Sequence, residues 1–471
     1  MLLPRFAMKS SAASRAWLSG SLRVIQPERI VELNQKPVRD GAKFVLYWMQ
    51  QAQRAEWNHA LEFAIMQANA LALPLTVCFA LTDDYPEANE RHYAFMLEGL
   101  SETAIRLRER GARFLIERGS PAQVVLPIAP RAALVVTDRG GTRIQSSWRA
   151  DLAGQLDCRM VQVETDVVVP VETAYPKEAY TAAVLRPKIT RLLGQFLTPL
   201  KPTALQCVVD ETTSPFEVEK LLGQLKVNRT VTRSRHYSGG RSAGKKFLVD
   251  FIATTLCQYA ERRSDPSKDL GSHLSPYLHF GQISPLEIAL AVKETGDDVN
   301  GASFLEELIV RRELSWNFTH YNSHYDAFES LPNWALTTLH KHAGDPREFL
   351  YTQADFEEAS THDPYWNAAQ REMMVTGEMH NYMRMYWGKK ILEWSASPEE
   401  AFSTALALNN KWCLDGRDPN SFAGVAWCFG KHDRPWSERE IFGSVRYMNA
   451  AGLRRKFDMN GYLRRIAELS R

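Results

Sequence analysis

Over residues 43–163, short apolar runs alternate with longer stretches in which apolar positions recur every three or four residues. The runs at 44–48, 75–81, 113–117, 132–137 and 160–163 are rich in β-branched and aromatic residues and too short for helices, so they predict strands. Between them, 56–71 sets Trp57, Leu61, Ile65 and Ala68 on one stripe, and 93–110 does likewise with Phe95, Leu97, Leu100, Ile105 and Leu107. Such alternation closes into a doubly wound parallel sheet, giving an α/β domain over 21–170. Sheets of this kind bind ligands beyond the carboxyl ends of their strands. The first strand, however, runs into Met49-Gln50-Gln51 and not into a glycine-rich turn, so the ordinary dinucleotide fingerprint is absent.

Residues 1–20 carry three basic residues, no acid and no apolar stretch ahead of a cleavage site, and read as a loose extension. Prolines 176, 187, 199, 202 and 215 punctuate 171–243, which reads as an interdomain connector running over the surface. Beyond it the pattern turns helical, with candidate helices at 244–262, 285–295, 303–321, 366–377, 379–394 and 398–409 and no convincing strand. Residues 244–471 therefore read as an all-α domain, and no fixed-period repeat suggests a solenoid.

Composition narrows the function classes. The 57 Lys and Arg residues against 55 acids leave a formal charge of +2, so a polyanion would have to meet a local patch. No run of about 18 apolar residues suggests a membrane span. Six cysteines with no CxxC pair suggest neither zinc nor a disulfide framework and fit a reducing, cytoplasmic setting. Twelve tryptophans are an unusual load, and Trp316, Trp334, Trp366, Trp387, Trp394, Trp412 and Trp427 crowd into 310–430.

Several stretches can carry chemistry, and each has a plain alternative. Arg229, Arg233, Arg235, Arg241, Lys245 and Lys246 occur without an acid around a Ser238-to-Gly244 turn that opens a helix, which suits an anion but equally a solvated loop. A second basic stretch, 446–471, reads as a phosphate grip or a solvated helical tail. Ser275, in a turn leading to a helix, is a phosphate ligand or a cap. Glu307 and Arg311 stand four apart, the spacing of a surface ion pair. Trp387 and Trp394 stand seven apart, sharing a helix face at about 10.5 Å of rise, with Trp366 on a neighbouring helix. They form a file for an electron or ordinary core. Asp415-Gly416-Arg417-Asp418 is a charged turn that is costly to bury without a ligand.

Four stretches in order carry a resemblance: Leu274-Ser275-Pro276-Tyr277-Leu278-His279-Phe280-Gly281, Glu306 through Leu314, Met379 through Trp387, and Leu414 through Asn420 and on to Trp427. Together they resemble the photolyase and cryptochrome family, specifically its class II cyclobutane pyrimidine dimer photolyases, over about 40–465. The resemblance implies an N-terminal α/β antenna domain and a helical domain holding flavin adenine dinucleotide (FAD). It implies that Tyr259, Ser272, Leu274 and Ser275 lie around the phosphates and ribityl chain, with Asn381, Arg384, Asp415 and Arg417 near the ring system and adenine. Asn409 matches the position facing the flavin N5, and Arg384 opposite Asp415 would form a buried ion pair.

The implied reaction is light-driven opening of a pyrimidine dimer flipped out of double-stranded, ultraviolet-damaged DNA. Glu307 matches the carboxyl on the dimer base edge, Trp427 the stacking wall, and Met385 the pocket lining. Val310 departs from other photolyase classes, which carry a Trp there, and Arg311 offers a guanidinium plane instead. Asp433 and Arg434 match a loop filling the gap in the duplex, and Arg241 belongs to the basic stretch that would grip phosphates. Trp387, Trp366 and Trp394 match an electron chain with Trp394 outermost. The antenna position carries no fingerprint; 8-hydroxy-5-deazaflavin or an empty site is expected, with no metal and a monomer. The alternatives are a cryptochrome-like photoreceptor without repair, a flavin-dependent oxidoreductase and a non-catalytic DNA-binding module.

Overall fold

The computed structural model describes residues 25–208 and 216–469. The extension expected at 1–20 lies outside them. Six strands form one sheet: β1 (Ile30–Glu32), β2 (Phe44–Met49), β3 (Leu75–Leu81), β4 (Arg113–Arg118), β5 (Ala132–Asp138) and β6 (Arg159–Val163), in the order β1-β6-β5-β2-β3-β4. From β2 onward every pairing is parallel, as in Leu46 opposite Thr76. All seven residues of β5 are buried, the signature of a strand covered on both faces. β1 is the exception to the expected parallel sheet: it lies antiparallel on β6, and three residues, Val31 exposed between half-buried Ile30 and Glu32, carry too little periodicity to announce a strand.

The strand order reverses at β2, with β3 on one side and β5 on the other, so the ligand crevice opens at their carboxyl ends. There the amides of Gln50, Gln51 and Ala52 all donate to the Asp138 carboxylate at 2.7, 2.6 and 2.8 Å. The N–H groups that a dinucleotide fold turns toward phosphate are thus satisfied by the protein's own anion. This explains why no glycine-rich turn is needed.

The helical half is built around Pro364–Thr376, Asn381–Trp394, Pro398–Trp412 and Pro419–Cys428. Three of these start with proline in the first turn behind Asp363, Ser397 and Asp418, whose side chains accept the orphan amides of Trp366, Glu400 and Asn420. Their inner faces bury Trp366, Trp387, Trp394, Phe402 and Phe429 in one cluster. Asn381–Trp394 and Pro419–Cys428 approach closely at Gly388, where a Cβ would stand 2.6 Å from the Cys428 sulfur. Within 171–243, the helix Ala182–Phe196 fully buries Leu185, Ile189 and Phe196, so this stretch contributes core as well as loops.

Two expected helices are continuous in path but not in hydrogen bonding. Residues 241–262 pass through a π turn at Phe251–Thr255, and 300–321 through another at Glu306–Arg311. The second changes a side-chain pairing. With an i→i+5 register, Arg311 meets Glu306 at 3.3 Å and not Glu307 four residues before it, while Glu307 pairs with Arg263 at 2.9 Å.

The halves are joined by buried charge. Arg54, fully buried, donates to Asp166 at 2.6 Å and to the Gly281 carbonyl at 2.8 Å. Arg91 reaches from the α/β half to the Trp412 and Met374 carbonyls at 2.8 and 2.6 Å. Glu313 returns the gesture, accepting from the Val168 amide at 2.5 Å.

Candidate functional site

Two regions can host chemistry. The first is the crevice at the ends of β2 and β3, with about 820 Å³ of open space including its mouth. Its walls carry Trp48, Phe79, Tyr85, Trp148, Phe280 and Arg417. Arg417 is thus placed at the seam between the halves. Its guanidinium donates to the Asn410 carbonyl at 2.7 Å and lies 3.2 Å from His92, and burial lowers its pKa.

The second region lies among the helices. Arg384 and Asp415 pair at 3.3 Å with side chains 13% and 10% exposed, a buried couple open enough to border a ligand. Burial opposes the Arg384 charge, but Asp415 and the other nearby anions outweigh it and hold the pKa above the ordinary arginine value. Gly416 fits the turn because a Cβ would press on the Asn410 backbone at 2.9 Å. Asn409 donates its side-chain amide to Ser421 Oγ at 2.5 Å, and among the described residues its side-chain oxygen takes no hydrogen bond. Asn381, in contrast, is exposed.

Tyr259 is buried against Phe251 and Phe304, its pKa pushed up to about 12 by that burial, and Arg263 sits 5.5 Å over its ring. Arg263 in turn holds Glu307, linking a residue expected at the flavin to one expected at the lesion. Leu274 is buried, while Ser272 and Ser275 are half-buried and make no side-chain hydrogen bond among the described residues. Between them His273, at φ 54°, sits against Tyr237, Glu378 and Asp269 at 2.9, 2.8 and 3.1 Å. Burial lowers its basicity, but Glu378 and Asp269 prevail and raise the pKa to about 11.

The three expected tryptophans are brought together. Trp387 and Trp366 stack at 6.3 Å and 9°, and Trp366 meets Trp394 at 6.2 Å and 64°. Two of the indoles are oriented by hydrogen bonds: Trp366 Nε1 donates to the Trp387 carbonyl at 3.0 Å, and Trp387 Nε1 to Gln370 at 2.9 Å. Trp394, expected outermost, is only 3% exposed.

Trp427 is half-buried, with Lys389 5.3 Å and Arg446 5.7 Å from its ring. Lys389 is fully buried, donates to the Cys428 carbonyl at 2.5 Å, and has its pKa lowered to about 8 by burial. Met385 is half-buried on the same helix. Asp433 accepts from the Arg434 amide at 2.9 Å, and Arg434 and Arg446 lie 5.3 and 4.6 Å from the exposed Trp436 ring. Sequence reasoning missed Lys389 and Gln370. The only signal for Lys389 was a Gly388-Lys389-Lys390 run set between Trp387 and Ile391-Leu392.

The basic turn behaves differently from its reading as an anion cradle. The Gly239 amide donates to Glu98 at 2.6 Å and the Ser242 amide to Glu102 at 3.1 Å, so carboxylates of the chain occupy it. Arg241 pairs with Glu287 at 2.7 Å and Glu56 at 3.3 Å, and Arg233 pairs with Glu219 at 2.7 Å. Charge that the sequence offered to phosphate is largely neutralised internally.

Comparison with known proteins follows the same line. A family model described as DNA photolyase matches residues 45–206. The deoxyribodipyrimidine photo-lyase of Methanothermobacter thermautotrophicus is 50% identical over 446 residues, covering 95% of this chain and 99% of that protein. The protein of the same name from Potorous tridactylus is 39% identical over 440 residues, covering 91% and 82%. A bacterial class III photolyase from Agrobacterium tumefaciens superposes with a TM-score of 0.70 over 91% of this chain and 87% of its own, at 18% identity, a likeness of fold.

Proposed function

The chain belongs to the DNA photolyase family, and from that membership we propose that it repairs cyclobutane pyrimidine dimers in DNA under light with FAD as cofactor. The observation that carries the placement of the reaction is the buried Arg384–Asp415 pair, whose arginine stands on the helix that also carries Trp387, the first ring of an ordered aromatic file. Bound among these helices, reduced FAD would supply, on absorbing light, the one-electron chemistry that opens the dimer ring with no net redox change.

The residues present fit that group. Arg384 supplies a fixed cation beside a negatively charged ring, and Asp415 limits the net charge buried. Asn409, its amide held by Ser421, turns a neutral carbonyl toward the site. Tyr259, Ser272, Leu274 and Ser275 offer a wall and two unspent hydroxyls to the phosphates and ribityl chain, with Asn381 at the rim. Arg417 belongs to the seam and acts on the cofactor only through the turn it shares with Asp415.

At the lesion, Trp427 is the stacking wall, held in place by the Lys389 and Arg446 cations. Glu307 exchanges Arg263 for the base edge, and Met385 lines the pocket. Arg311, half-exposed beside Glu306, supplies the second plane. A damaged pair is cheaper to unstack than an intact one, so flipping adds selectivity. Asp433 and Arg434 fill the gap left in the duplex. The grip on the backbone falls to Arg434, Arg446 and their neighbours more than to Arg241, and is salt-sensitive with little sequence preference. Trp387, Trp366 and Trp394 carry an electron inward to restore the reduced cofactor. The crevice at β2 and β3 takes an aromatic antenna such as 8-hydroxy-5-deazaflavin. The working unit is a monomer, and among the described residues no helix is long and apolar enough to cross a membrane.

The test is the absorption spectrum of the purified protein, followed by dimer loss from irradiated oligonucleotide under blue light against a dark control. Light-dependent loss is expected. Repair in the dark, or none in light with reduced flavin, removes the reading; the second outcome would favour a photoreceptor.

A further inference from the structure

Residues 175–180 form a surface loop ahead of the helix Ala182–Phe196, and four side chains of the helical half hold it in place. Asn317, on the helix Arg312–Tyr321, accepts the Ala179 amide at 2.7 Å and donates to the Lys177 carbonyl at 3.0 Å. Glu178 accepts from Lys431 at 2.5 Å and from Asn322 at 3.2 Å. His432 Nδ1 donates to the Tyr180 carbonyl at 3.0 Å. Burial above all, aided by the charges of Lys431 and Arg311, lowers the His432 pKa to about 4. The donor is thus a neutral imidazole, and the tether does not titrate near neutral pH.

What this frame presents is the Tyr180 side chain, 52% exposed and, among the described residues, without a hydrogen bond at its phenol. Tyr175, at the other end of the loop, already has Lys188 and Lys177 at 4.7 and 5.6 Å from its ring. Fixing a surface loop costs conformational entropy, and fixing it around an uncovered ring removes in advance the ordering cost that binding a ligand would carry. The tethers also set where the ring stands. Lys431 and His432 immediately precede Asp433 and Arg434, and both pack on Phe318, at 4.4 and 5.6 Å. Tyr180 is therefore locked to the loop read as filling the gap in the duplex, within reach of the Arg311 charge. Glu178, the one carboxylate of residues 175–180, is neutralised by Lys431, while Lys177 and Arg434 are exposed, so the surroundings suit a polyanion.

Extruding a dimer leaves bases of the other strand without partners and opens their faces to water. An exposed, rigidly mounted aromatic ring restores the lost stacking, and does so for any base. We propose that Tyr180 stacks on an unpaired base of the undamaged strand, opposite the extruded dimer. This rests on the reading of the lesion as flipped out and of Asp433 and Arg434 as the filler of its gap. The ring supplies a stacking plane while the phenol oxygen stays in water, so phenylalanine serves as well as tyrosine at this position.

The test uses the FAD-loaded full chain in the dark, as wild type, Tyr180→Ala and Tyr180→Phe, each checked for flavin content and circular dichroism. Affinity is measured for a dimer-containing duplex, for the same dimer in single-stranded DNA and for undamaged duplex, with the fluorescent base 2-aminopurine placed opposite the dimer or at a remote pair. In wild type the base opposite the dimer should be quenched and the remote one unchanged. Tyr180→Ala should lose about tenfold in affinity for the damaged duplex, the value of one stacked base. It should bind the single-stranded dimer as wild type does, because no opposite strand is present, and leave the opposite 2-aminopurine bright. Tyr180→Phe should match wild type throughout. Quenching that persists in Tyr180→Ala overturns the proposal, as does an equal loss of affinity for the single strand, which would assign the ring to the lesion strand. A wild type that binds damaged and undamaged duplex alike removes the repair reading and this one with it, whereas a normal dimer preference with Tyr180→Ala unchanged removes only the stacking of Tyr180.

Discussion

The seam between the two halves and the tryptophan file are both buried, yet they are held by opposite means. At the seam, buried charges meet backbone groups: Arg54, held by Asp166 of its own half, on the Gly281 carbonyl, Arg91 on four carbonyls and Glu313 on backbone amides. In the file, rings touch rings, and the polar contacts of Trp366 and Trp387 are neutral hydrogen bonds. Buried charges tolerate one docking geometry, because any other strands a charge without its partner. A file of polarisable rings with few ionic groups has little to reorganise when an electron passes. The seam fixes where the halves sit, and the file leaves the redox centre soft.

Breaking the seam should have the largest effect. Arg54→Met leaves Asp166 buried without its guanidinium and should cost about 3–5 kcal/mol, read from denaturant unfolding. The Arg54→Met/Asp166→Leu double variant should recover most of that loss. If the single variant unfolds as the wild type does, the charges at the seam are not what joins the halves.

In the file, Trp366→Phe should cost only about 1–2 kcal/mol through a smaller ring and one lost hydrogen bond. It should nevertheless abolish photoreduction while sparing repair by chemically reduced enzyme. A variant that photoreduces normally places the electron path elsewhere.

An intermediate case is His273, a charge outside both regions. Its pKa rises from the ordinary 6.5 to about 11 because Glu378 and Asp269 overcome burial. The folded state then holds a proton that the unfolded chain lacks between those values, so the contribution is complete below pH 6.5 and lost as pH rises toward 11. The melting temperature should decline over that window, and His273→Gln should flatten the decline.

The smallest effect belongs to an exposed pair. Arg143 and Asp326 also cross between the halves, at 2.5 Å, but on the open rim of the seam, with side chains 54% and 31% exposed. Arg143→Met should cost under about 1 kcal/mol, and a larger loss would mean that surface pairing matters as much as the seam.

The sheet was legible because a strand buried on both faces must be apolar, and β2, β3 and β5 are. The file was legible from spacing plus resemblance, although spacing alone left it as ordinary core. What the sequence did not show were partners from far along the chain. Glu98, Glu102 and Asp138 fill the anion-ready amides of distant turns, and periodicity carries no trace of such encounters. The shift of Arg311 from Glu307 to Glu306 was hidden for another reason: a π turn changes which neighbour lies overhead without altering the apolar pattern. Lys389 was hidden because a buried lysine contradicts its composition class until Trp427 and the Cys428 carbonyl surround it.

Gly388 ties two functions to one dimension. Its bare α-carbon lets the helix bearing Trp387 nestle against the helix bearing Trp427, with the Cys428 sulfur filling the space a methyl group would need. Any larger residue would wedge those rods apart, shifting the reductive wiring and the lesion platform together, so neither can be retuned by that route without disturbing the other.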